Sequence, residues 1–412
     1  MATPKLRFKE FDGNWSNKKI GNIASKVGSG STPKGGAEAY TDHGIIFIRS
    51  QNVNNDQLLL DDVAYIPEET HLKMSGSKVI ANDILLNITG ASIGRSCVVP
   101  NDFTEGNVNQ HVCIIRTPND DPIFVQSFLS SENGQNAIQS KQAGGGREGL
   151  NFQAIRSIDF HFPPSKPEQT KIASFLSAVD EKINQLTQKH ELLSQYKQGM
   201  MQKLFSQQFR FKADDGSEFG EWEDKKLGEI ASKVGSGSTP RGGAEAYVDS
   251  GIIFIRSQNV NNDQLLLEDV VFIPENTHQK MAGSKVIAND ILLNITGASI
   301  GRSCVVPKNF TEGNVNQHVC IIRTPNDEPK FIQAFLSSKN GQDLIESYQT
   351  GSGREGLNFQ SIRSFDLSMP CLEEQTKIAN FLSAIDQKIE VVAQQIEQAK
   401  TWKKGLLQQM FV

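Results

Sequence analysis

Nearly the whole chain is written twice, which limits its fold to two copies of one design. "GIIFIRSQNVNNDQLLL" occupies Gly44–Leu60 and returns unchanged at Gly251–Leu267. "GSKVIANDILLNITGASIGRSCVVP" runs from Gly76 to Pro100 and again from Gly283 to Pro307. "FTEGNVNQHVCIIRTPND" fills Phe103–Asp120 and Phe310–Asp327. The offset is 207 residues up to the prolines at 163–167 and 206 beyond them, where one residue is lost. Each copy is far longer than a solenoid repeat and can bury a core of its own. Two like domains present two like surfaces, suited to two copies of one ligand.

Each copy has two parts. The first is strand-rich: "GIIFIRS" and "HVCIIRT" are short β-branched runs between turn residues, which predicts buried strands. "DILLNITGASIG" predicts a strand entering a glycine turn, and "DPIFVQSFLSSENGQNAIQS" a helix with a glycine break. The second part is a long helix opening at Pro167. Ile172, Val179, Leu186, Leu193 and Met200 recur every seven residues, as do Leu176, Ile183, His190, Lys197 and Leu204. The second copy repeats the pattern with Ile378, Ile385, Val392, Ala399 and Leu406, and with Leu382, Ile389, Ile396, Lys403 and Met410. These are the two seams of a coiled coil, the alternative being that each helix packs only on its own domain. Lys197 and Lys403 share one seam position, where a polar residue fixes register or snorkels to water.

Connectivity gives the helices a direction. Forty helical residues span about 60 Å, and the linker "QQFRFKADDGSEFGEW" is short. The second helix can pair with the first only by running back along it. The expected fold is α+β: two near-identical mixed α/β domains separated by a long antiparallel two-helix coiled coil. The expected boundaries are 1–163 and 222–370 for the domains, 164–206 and 371–412 for the helices, and 207–221 for the linker.

Composition bounds the function. No stretch is apolar and long enough to cross a bilayer, and the start has no signal-like apolar run, so the expectation is a cytoplasmic protein without membrane contact. The five cysteines show no C-x-x-C and no zinc spacing, and read as buried reduced thiols. A formal net charge of −5 weighs against a free-standing nucleic-acid binder, though phosphate contact needs only local positive charge. It also suits a subunit whose partners supply much of the grip. Two like heads about a two-fold axis match the dyads of B-DNA and predict inverted half-sites. Half-site centres roughly 10 bp apart would leave about 5–7 unread base pairs.

With the order domain–helix–domain–helix, "VGSGSTPKGGAEAY", "GASIG", "NVNQHV" and "PEQTKIASFLSAVDEKI" with its twin "EEQTKIANFLSAIDQKI", the chain resembles the specificity subunit of type I restriction–modification systems. The resemblance covers essentially the whole chain. It implies two target-recognition domains that read double-stranded DNA. It implies helices that dock two modification subunits, which hold the S-adenosylmethionine and methylate adenine, and it implies restriction motor-nuclease subunits in the complex. No cofactor is expected on this chain. Family members usually carry two different recognition domains; here the two are almost the same, so the expected target is a true inverted repeat.

Several stretches are candidate DNA contacts. "KVGSGSTPKGG" offers Lys26, Ser29, Ser31, Thr32 and Lys34, matched by Lys233, Ser236, Ser238, Thr239 and Arg241. They suit phosphate, and no G-K-[ST] follows to make a P-loop. "RSQNVNN" offers Arg49, Gln51, Asn52, Asn54 and Asn55, matched by Arg256, Gln258, Asn259, Asn261 and Asn262. Amides pair bidentately with adenine and arginine with guanine, so this is the leading base-reading stretch, although amide-rich turns also serve structure alone. "NITGASIGRS" adds Thr89, Ser92 and Arg95, with Thr296, Ser299 and Arg302; "NVNQHV" adds Asn109, Gln110 and His111, with Asn316, Gln317 and His318. The loops "GGGREG" and "GSGREG" bring Arg147 and Arg354 to phosphate or guanine. Both fit G-x-G-x-x-G, but a helix-like segment precedes each and a strand-like end follows, the reverse of a dinucleotide site. For the loops an ordinary solvated turn is the alternative, and for His111 and His318 a satisfied strand residue.

No catalytic motif is legible. "DPIF" at Asp121–Phe124 faintly matches an amino-methyltransferase signature, and its twin "DEPKF" breaks the pattern. The leading expectation is a non-catalytic DNA-specificity subunit. The alternatives are a stand-alone palindrome-binding regulator and a nucleotide-binding enzyme.

Overall fold

The computed structural model describes residues 3–54, 56–142, 149–261, 263–349 and 356–411. The chain forms two units, one of Met1–Thr187 with Gln394–Val412, the other of Gln188–Ala393. In the first unit an antiparallel sheet runs in the order Lys26–Ser29, Val112–Arg116, Ile84–Asn87, Ser96–Val98. A second sheet runs Ala64–Ile66, Ile45–Ile48, Gly106–Val108, Lys78–Val79, with the central two strands parallel. The second unit repeats both sheets strand for strand.

The unbroken apolar runs have a simple cause: both faces of the first sheet are covered. Ile84, Leu86, Cys113 and Ile115 join a core that includes the helices, while Leu85, Val112 and Ile114 join a second core shared with Ile48, Val53 and Val108. Alternate residues thus serve different cores, so the sequence shows no alternation. Four cysteines lie in these cores, where burial pushes the Cys113 and Cys320 thiols up to about 12; Cys371, outside them, is exposed.

"DPIFVQSFLSSENGQNAIQS" forms two helices, Pro122–Ser130 and Glu132–Ser140. The break falls at Ser131, whose hydroxyl accepts from the Gly134 N–H as an N-cap. Gly134 also permits a close approach. A Cβ there would stand 1.9 Å from the Phe128 carbonyl oxygen, so the two helices meet only over a bare glycine.

The long helices are Lys166–Phe205 and Leu372–Met410. Their openings are locked. Glu168, fully buried, takes a bidentate ion pair from Arg7 and a hydrogen bond from Trp15, and Glu374 does the same with Arg210 and Trp222. Gln169 and Gln375 bind the Asp121 and Glu328 backbone N–H groups. The core of the first unit joins Ile172, Leu176 and Val179 to Leu406, Leu407 and Met410; that of the second joins Met201, Leu204 and Phe205 to Ile378, Leu382 and Ile385. In each unit the opening of one long helix lies with the close of the other, the antiparallel sense. Each such residue contributes about 1.5–3 kcal/mol when fully buried. Among the described residues no helix is long and apolar enough to cross a membrane.

Candidate nucleic-acid interface

Asn109 is where the candidate stretches meet. Its N–H donates to the Ile48 carbonyl, just before Arg49. Its own carbonyl accepts from the Gly30 N–H, and its side chain accepts from the His111 N–H. Gly30 is glycine because a Cβ would lie 1.6 Å from the Val108 carbonyl oxygen. One turn residue therefore gathers the 26–36 loop, the strand leading to "RSQNVNN" and the "NQH" turn.

A string of side chains then crosses this surface. The Thr32 hydroxyl donates to Gln110 Oε1, Gln110 Nε2 lies 3.0 Å from His111 Nε2, and His111 Nδ1 lies 2.6 Å from Thr89 Oγ1. A neutral imidazole protonated on Nδ1 satisfies both neighbours. Thr89, where the string ends, forms a backbone bridge with Gly149. The second unit repeats it through Thr239, Gln317, His318 and Thr296 to Gly356. Thr32 and Gln110 are exposed, His111 half-buried.

The other candidates differ in exposure and partners. Lys34, Ser31 and Arg95 are exposed, as are Arg241, Ser238 and Arg302; Arg302 lies 3.4 Å from Asn261 Oδ1. Ser29, Ser92 and Asn54 are half-buried, as are Ser236, Ser299 and Asn261. Arg49 is half-buried, 3.9 Å from Asp62, and its Nε has no partner, nor has that of Arg256. Gln51 and Gln258 donate to Asp62 and Asp269.

Two expected contacts are turned inward. Asn52 is 2 % exposed; it accepts from the Arg49 N–H and donates to the Leu59 and Asp62 carbonyls, and Asn259 is used identically. Its amide holds the turn and has no hydrogen left for a base. Lys26 and Lys233 donate to the Lys78 and Lys285 carbonyls, and burial followed by the charge of Arg116 or Arg323 moves each ammonium below its ordinary range. Asn55, Asn262, Arg147 and Arg354 lie outside the described residues.

Asn87, which sequence reading passed over, ties this surface together: fully buried, it donates to the Ser50 and Val53 carbonyls from the strand that leads to Thr89. The sequence signal for it is an asparagine closing an all-apolar strand. Among the described residues no group of His, Cys, Asp or Glu is placed to hold a metal ion.

A family model for the type I restriction modification DNA specificity domain matches residues 12–194 and 220–401. The chain is 25% identical over 348 residues to the type I restriction enzyme MjaVIII specificity subunit of Methanocaldococcus jannaschii, across 82% of this chain and 80% of that one. It is 21% identical over 413 residues to the StySPI specificity subunit of Salmonella potsdam, across 96% and 87%. In fold it is similar to the crystal structure of a type I restriction–modification S subunit from M. genitalium, with a TM-score of 0.62 at 16% identity over 100% of this chain and 99% of that one.

Proposed function

Because the chain belongs to the type I restriction–modification DNA specificity family, we propose that it is the non-catalytic subunit that selects the DNA target, each unit reading one half-site of a bipartite inverted repeat. The observation that carries this is the hydrogen-bonded string from Thr32 to Thr89, repeated from Thr239 to Thr296. Two such surfaces on one chain call for two like half-sites. Lys34, Arg95 and their counterparts meet phosphate; Arg49, Gln51, Asn54 and Gln110, with Arg256, Gln258, Asn261 and Gln317, meet base edges. Asn52, Asn259, Lys26 and Lys233 support the turns instead. The half-sites of this proposal are inverted and separated by about 5–7 base pairs.

The long helices dock two modification subunits, which carry the S-adenosylmethionine and methylate adenine; restriction subunits join that complex. Mapping methylated adenines in the host with and without this gene tests the reading. The expected result is a gene-dependent motif of two identical half-sites in inverted order. Two unrelated half-sites overturn it. Purification of the chain without any modification subunit would instead favour a stand-alone regulator.

A further inference from the structure

The ribbon that carries Asn54 turns at Asp56, between Val53–Asn54 and Gln57–Leu58. Asp56 has φ +63°, a left-handed conformation that aspartate tolerates better than most residues. Its carboxylate accepts from Ser130 at 2.5 Å, Gln126 at 2.8 Å and Lys403 at 2.8 Å. Lys403 lies on the second long helix and also reaches Asp180 on the first, at 2.6 Å. The next residue, Gln57, donates to Asn184 on the first long helix. The second unit builds the same device from the other helix. Asp263, φ +72°, accepts from Ser337, Gln333 and Lys197, and Lys197 also reaches Asp386 at 2.6 Å.

A seam lysine at these positions neither snorkels nor simply sets register. An apolar residue would hold the helices together at lower cost, because burying an ammonium requires desolvating it. Here one carboxylate comes from the facing helix and the other from the turn next to the base-reading stretch. Burial alone would raise the Asp56 carboxyl; the charge and hydrogen bond of Lys403, with Ser130 and Gln126, outweigh it and hold the group below its ordinary range. Asp180 shares the ammonium without the two extra donors, and burial lifts it above that range. The turn aspartate is thus the more firmly ionised anchor.

We propose that Lys403 and Lys197 are positioning residues for DNA reading, each fixing the base-reading turn encoded in the other half of the chain. Lys403 sets Arg49–Asn54, and Lys197 sets Arg256–Asn261. A bidentate base contact is lost when its amide or guanidinium is displaced, so these lysines control sequence discrimination more than phosphate affinity. The inference rests on the function proposed above.

The test uses the full chain with Lys403→Met, and Lys403→Arg as the conservative variant. The probes are two duplexes, one with both half-sites of the mapped motif and one with a single half-site scrambled. For the unaltered chain the affinity ratio between them is large. Lys403→Met is expected to lower that ratio at least tenfold, and Lys403→Arg to restore most of it. Hydrogen exchange is expected to quicken in residues 49–60 and not in 256–267. Where Lys403→Met fails to fold, Asp56→Asn, which keeps the Ser130 and Gln126 partners, is expected to lower the ratio likewise. An unchanged ratio in a folded variant, or faster exchange in 256–267 alone, overturns the proposal. A ratio near one for the unaltered chain overturns the proposed function instead, while unchanged exchange in 49–60 still overturns the positioning link.

Discussion

Glu168 and Glu374 are single residues on which a unit's closure depends. Each is fully buried at the opening of a long helix and holds an arginine and a tryptophan from the segment just ahead of its unit's first strand. Removing Glu168 costs its buried ion pair, but the half-buried Arg7 guanidinium left behind keeps the Gly13 and Asp12 carbonyls, so the loss falls at or below the low end of about 3–5 kcal/mol. Glu168→Ala is expected to move unfolding of the first unit to lower denaturant and leave that of the second in place. Hydrogen exchange followed separately in residues 15–30 and 222–237 checks this; equal loss in both sets contradicts it. In the sequence Glu168 is just one more acidic residue after Pro167, because its partners Arg7 and Trp15 lie far away in the chain. The inward turn of Asn52 was equally illegible: its use depends on the Leu59 and Asp62 carbonyls, and amide chemistry is the same for a base or a backbone.

At the scale of elements, the periodic features were the readable ones. The long helices and their seams follow from a seven-residue recurrence, and the buried strands from β-branched runs between turns. What periodicity could not place was the break in "SFLSSENGQ", which falls at the Ser131 cap rather than at Gly134. The glycine is needed for contact, not for flexibility. Gly134→Ala would push a methyl against the Phe128 carbonyl, so the helices must part, an overpacking cost of about 1–3 kcal/mol. A fall in Tm of the full chain, with helix content unchanged by circular dichroism, is the expected outcome; an unchanged Tm would show that the contact relaxes freely.

For the molecule as a whole, the duplication announced two like units, but not that each borrows a helix end from the far half of the chain. The first unit needs Leu406, Leu407, Met410 and Phe411 to cover Phe124 and Phe128, whereas the second is one uninterrupted stretch. A chain ended before residue 394 is therefore expected to keep the second unit protease-resistant while the first is digested; resistance of both would refute the dependence. This arrangement also inverts the usual schedule of synthesis. At about 5–20 residues per second, the ribosome takes roughly 10–45 s to travel from the end of the first unit's opening stretch to the helix tail that seals it. The half made later can reach its native state sooner, and the half made earlier must wait with its aromatic interior uncovered, a candidate client for chaperones during translation.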